Sequence, residues 1–109
     1  MTESEFNVLA EQIFARIETA IEASGADIEC EMQQGILELE FDDGSKIIIN
    51  RHTPNRELWI AARSGGFHFG CKQGQWLNTR NGEEFFATLK RVLEEQAGEP
   101  VALMLQAED

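Results

Sequence analysis

"ADIECEMQQGILELEFDDGSKIIINR", residues 26–51, decides the fold, because its apolar side chains recur at every second position and it reverses direction twice. Ile28, Cys30 and Met32 oppose Asp27, Glu29 and Glu31, and Leu37, Leu39 and Phe41 alternate with Glu38 and Glu40. "KIIINR" supplies a third run. Period-two alternation marks strands with one buried face, and Gln34-Gly35 and Asp43-Gly44 read as the turns between them. The first run carries a standing cost: carboxylates two residues apart on a strand lie about 6.6 Å from one another and repel by roughly 0.6 kcal/mol in water, or about 2.5 kcal/mol at an effective dielectric of 20.

Outward from this stretch the period changes to that of a helix on both sides. Phe6, Leu9, Ala10, Ile13, Phe14, Ile17, Ala20 and Ile21 recur at three and four across residues 3–23. Thr2 and Glu5 fit a capping box, and Ser24-Gly25 ends the run. Toward the C-terminus three further strands, "ELWIAA", "GFHF" and "QWLN", are separated by Pro54-Asn55, Ser64-Gly65-Gly66 and Gln73-Gly74. From Asn81-Gly82 onward the helical period returns through Phe85, Phe86, Leu89, Val92 and Leu93, closing at Gly98 and Pro100. The apolar tail "VALML" then needs burial. This order predicts an α+β fold, a two-layer α-β-α sandwich with the N- and C-terminal helices on one face of an antiparallel sheet of about six strands.

At 109 residues and 42% hydrophobic, the chain suits one domain spanning 1–109. Its start lacks the basic and apolar regions of a signal peptide, and no window approaches the roughly 20 apolar residues of a membrane span, so a cytoplasmic protein is expected. Cys30 and Cys71 stand far apart and read as reduced, buried thiols. The formal net charge of −11 is uneven: residues 1–44 hold every excess acid, with Arg16 as their sole base, while the remainder balances. Such a surface disfavours nucleic acid and anionic membrane as partners and favours cations or a basic protein.

Glu11, Glu18 and Glu22 fall within a wedge of about 40° on the flank of the first helix's apolar stripe. Beside an edge strand, Asp27, Glu29 and Glu31 would extend them into one acidic ridge. Oxygen ligands without His or Cys suit hard cations, bound weakly and openly. On spacing alone, a solvated helix face and an edge strand charged against aggregation come ahead of cation binding as the explanation. Catalysis finds little support, since these carboxylates look exposed and Ser45 and Ser64 have no base beside them. His52 and His68 read as surface or satisfied histidines. Trp59 shares the sheet's uncovered face with Glu57 and Ala61 and reads equally as a partner contact or as a ring covered by neighbours. Gly65-Gly66 reads as a hairpin turn.

"DGSKIIINRHTPNRELWIAARSGGFHF", together with "SEFNVLAEQIF", "GILELEF", Trp76 and "GEEFFATL", resembles the frataxin family in its bacterial branch over nearly the whole chain. The resemblance implies weak, reversible binding of Fe²⁺ or Fe³⁺, with room for other divalent cations, and a role in iron-sulfur cluster assembly through the cysteine desulfurase and the scaffold protein. It implies a metal ridge of Glu11, Glu18, Glu22, Asp27, Glu29 and Glu31. Of these, Glu18, Glu22, Asp27 and Glu29 would also meet the desulfurase, and Asn50, Pro54 and Trp59 would form a second contact surface. A largely monomeric chain that iron can drive to oligomerise goes with this. The family's pattern has Gln where His52 and Glu57 stand and more acids where Thr19, Ala23 and "ASGA" stand, which implies a reduced iron capacity. Two rivals remain: ferroxidase and storage activity, for which the Glu-x-x-His motif of di-iron bundles is missing, and a purely electrostatic interaction module.

Overall fold

Thr2 starts the first helix through a reciprocal cap: its Oγ1 accepts the Glu5 backbone N–H at 3.1 Å, and Glu5 Oε1 accepts the Thr2 N–H at 2.7 Å. The helix, α1, runs Glu3–Ser24 and buries Phe6, Ala10, Ile13, Phe14, Ile17, Ala20 and Ile21, leaving Leu9 at the exposed margin of the stripe. The computed structural model describes residues 1–101. Val101, the first residue of the apolar tail, is buried, and the rest of "VALML" lies outside the described residues.

Six strands follow: β1 Ile28–Gln33, β2 Ile36–Phe41, β3 Lys46–His52, β4 Glu57–Ala62, β5 Gly65–Lys72 and β6 Gln75–Asn78, with a 3-10 turn at Thr53–Asn55. They form one antiparallel sheet in chain order, β1-β2-β3-β4-β5-β6, so β1 and β6 are its edges. Leu37, Leu39, Phe41, Ile47, Ile49, Leu58, Ile60, Phe69 and Trp76 form the inner face. Helix α2, Phe85–Ala97, covers that face beside α1 with Phe85, Phe86, Leu89, Val92 and Leu93. Phe6 of α1 meets Trp76 at 5.9 Å between centroids, Phe85 meets Phe69 edge-on at 5.1 Å, and the Arg16 guanidinium sits 4.7 Å from the Phe86 ring. Both helices therefore lie on one side, the α+β sandwich expected. Among the described residues, no helix is long and apolar enough to cross a membrane.

Four local expectations are corrected. Asp27 precedes β1, so only Glu29 and Glu31 share a strand face. The β4–β5 turn is Arg63-Ser64, with Gly65 already paired to Ala62, because a two-residue hairpin closes this register. Helix α2 begins three residues past Gly82, capped by Glu84, whose carboxylate accepts the Phe86 and Ala87 N–H groups at 2.9 and 3.0 Å. The inner face of edge strand β1 is only partly covered: Cys30 is half-buried, as is Cys71 on β5, and Met32 is 39% exposed.

Candidate functional site

Topology puts the line of acids on α1 beside an edge strand. The Cys30 thiol on the inner side of β1 is pushed up to about 11, chiefly by burial and then by the charges of Glu18 and Glu22, which are near enough to act on it. Glu29 and Glu31 flank Cys30 in sequence and so point to the opposite, outer side of the sheet. The acids thus wrap the β1 edge, with the unpaired backbone of the strand between two carboxylate rows. Glu11 is set apart from them: its Oε2 lies 3.8 Å from Arg51 Nη1. Asp27, in the α1–β1 connection, lines a shallow cleft with Asp42, Asp43 and Glu99.

On the outer face the register extends the acidic rows. Glu29 pairs with Glu40 and Glu31 with Glu38, like charges directly opposite, which is unfavourable for a strand pair. Lys46, opposite Glu40, bonds Glu38 Oε2 at 3.1 Å and is raised above the usual lysine range by that bond and charge, with Glu40 and Glu31 adding to it. One ammonium thus offsets part of a four-carboxylate patch, in which Glu38 and Glu40 are residues that the sequence reading left out. Alternation alone carried the signal for them. Among the described residues, no three of His, Cys, Asp and Glu converge as a preformed metal site.

The far end of the same face is aromatic. Trp59 lies between His52 and His68 with ring centroids 4.2 Å apart on either side and interplanar angles of 6° and 12°. Its Nε1–H donates to Glu57 Oε1 at 2.8 Å. Asn50 is opposite Trp59 on β3, and Pro54 is exposed in the 3-10 turn. The two histidines, read from the sequence as surface or satisfied residues, are components of one stack, brought together by pairing across three strands. The structure does not bring this cluster to the acids of the β1 edge: β2 separates β1 from His52 on β3, and Trp59 lies one strand further on.

A family model described as a frataxin-like domain matches residues 1–99. The "Iron-sulfur cluster assembly protein CyaY" of Neisseria meningitidis serogroup B is 48% identical over 103 residues, covering 94% of this chain and 96% of that protein. A solved frataxin from Psychromonas ingrahamii superposes with a TM-score of 0.87 at 39% identity, covering 93% of this chain and 96% of that one. A trimeric yeast frataxin solved in complex with ferrous iron gives a TM-score of 0.69 at 26% identity over 87% of each chain.

Proposed function

Because the chain belongs to the frataxin family, we propose that it is an iron-sulfur cluster assembly factor that docks on the cysteine desulfurase and scaffold protein, regulates cluster formation, and carries iron weakly along the β1 edge. It acts by binding and not by turnover, in the cytoplasm, where half-buried free thiols such as Cys30 and Cys71 suit the reducing medium.

The observation that carries this reading is the wrapping of carboxylates round β1. Glu18 and Glu22 stand on one side and Glu29 and Glu31 on the other, next to Glu38 and Glu40. Close like charges raise the local affinity for any cation, and the lack of a converging ligand set among the described residues keeps each ion exchangeable. An ion shared between this edge and a basic partner surface would stabilise the complex in proportion to iron level.

The test is a titration with Fe²⁺ followed by backbone amide NMR. Broadening concentrated over residues 18–31 is expected; broadening centred on His52 and His68 with residues 18–31 untouched sinks the ridge assignment. Desulfurase affinity measured with and without iron separates the electrostatic module: the wild type binds more tightly with iron under the bridging reading, and equally under the module. Lys at Glu18, Glu22, Asp27, Glu29 and Glu31 removes binding in both cases.

A further inference from the structure

We propose that His52, His68 and Glu57 are positioning residues that lock Trp59 with both ring faces covered, so that a docking partner meets only the edge of the indole. The proposal rests on the reading of Trp59 as a desulfurase or scaffold contact. The geometry constrains the ring on both faces and at its donor. His52 and His68 stack on its two faces at 4.2 Å and within 12° of parallel, and Glu57 Oε1 holds its Nε1–H at 2.8 Å. Two faces and the single donor of the side chain are thereby occupied.

The stack is also what holds His52. Its Nδ1 is buried and finds no hydrogen-bond partner in the protein, so no bond at that atom sets the orientation of the ring. The support runs across three strands: His52 on β3 pairs with Glu57 on β4, and Trp59 pairs with His68 on β5. A free tryptophan on an open sheet samples several rotamers and loses that freedom on docking, at a cost of order one rotamer-rich side chain. Here the ordering is done in the unbound protein. The consequence for recognition is geometric. A partner guanidinium or aromatic ring cannot stack on Trp59, and finds instead the indole edge, flanked by the outer face of the exposed His68.

The test measures desulfurase affinity together with the Trp59 indole N–H resonance, assigned by its absence in W59F, for the variants W59A, H52A, H68A, E57A, H52F and E57Q, with thermal midpoints as folding controls. H52A and H68A are expected to shift or broaden the Trp59 indole resonance and weaken docking by about two- to tenfold, the range for one aromatic pair. H52F, which keeps a flat ring, restores both, and E57Q, which keeps an acceptor, binds more tightly than E57A. Weakened docking in W59A with unchanged docking in H52A, H68A and E57A overturns the positioning role and leaves the Trp59 contact standing. Weakened docking in H52A that H52F does not restore also overturns it, because the imidazole then contacts the partner itself. Unchanged docking in W59A overturns the contact and the positioning proposal with it.

Discussion

Gln96 Oε1 of α2 accepts the backbone N–H of Arg63 in the β4–β5 turn at 2.9 Å, a bond across 33 residues of sequence. The same amide donates Nε2 to Ser45 Oγ at 3.1 Å and to the Lys46 carbonyl at 3.3 Å. One buried side chain thus ties the second helix to two hairpins at the same end of the sheet. Truncation in Gln96→Ala leaves the turn N–H without its acceptor, and a loss of about 1–3 kcal/mol in urea unfolding is expected. A change below a few tenths of a kcal/mol would mean that water replaces all three bonds.

Gly35 is the second sensitive point. Its φ is +81°, and a Cβ there would stand 2.7 Å from Arg51 Nε. Gly35→Ala therefore strains the β1–β2 turn and pushes Arg51 away from Glu11, for a total of about 1–2 kcal/mol. The thermal midpoint should fall by roughly 4–8 °C per kcal/mol in a domain near this size. In an Arg51→Ala background the same substitution should cost less, and equal costs in both backgrounds would assign the whole effect to the backbone.

Acid sensitivity should trace in part to Asp43. Hydrogen bonds from Ser45, and then the Arg63 guanidinium, hold its carboxyl down to about 2 from an ordinary value near 3.8. A depressed folded pKa contributes stability that is complete above the unfolded value and is lost as pH falls through the folded one. The Asp43 contribution is therefore present above about pH 4 and disappears toward pH 2. Asp43→Asn should flatten the pH dependence of unfolding in that window, and an unchanged slope would rule this carboxyl out.

Cys30 should be an inert thiol at neutral pH, because burial and then Glu18 and Glu22 raise its pKa to about 11. In a Cys71→Ser background, alkylation at about pH 7, where an unperturbed thiol is a few per cent thiolate, should be slower than for a free cysteine peptide. It should accelerate as pH approaches 11. Neutralising the two carboxylates, as in Glu18→Gln with Glu22→Gln, should raise the rate, whereas an unaltered rate would leave burial as the sole cause.

Legibility of the sequence followed from how local each signal was. The helices and all six strands could be read because α1, α2 and each hairpin carry their own period, and Thr2 with Glu5 carries its own cap. The end of α1 fell at Ser24-Gly25 as read, whereas the placement of Asp27 and the start of α2 shifted by a few residues, since caps such as Glu84 depend on side-chain bonds and not on hydrophobic spacing. Long-range pairs were harder. The like-charge pairs Glu29–Glu40 and Glu31–Glu38 follow once the Gln34-Gly35 turn is fixed, but they need the register as well as the pattern. The His52–Trp59–His68 stack needed two registers at once, and reading Gly65-Gly66 as the turn moved His68 away from Trp59. Counting outward from Arg63-Ser64 instead puts His68 opposite the indole.

Strand order equal to chain order also shapes how the molecule assembles itself. Every pairing in the sheet is a hairpin closed by a short connection, so the entropy of loop closure is small and each two-strand unit can form early and independently. Distant parts of the chain meet where the terminal helices lie on the sheet and on each other, with Phe6 on Trp76, Arg16 on Phe86 and Gln96 bonded to Arg63. The arrival of the two ends is then the step expected to be slow in folding. Trimming either end uncovers apolar inner-face side chains such as Leu39 and Ile49, so the sheet loses the layer it is packed against.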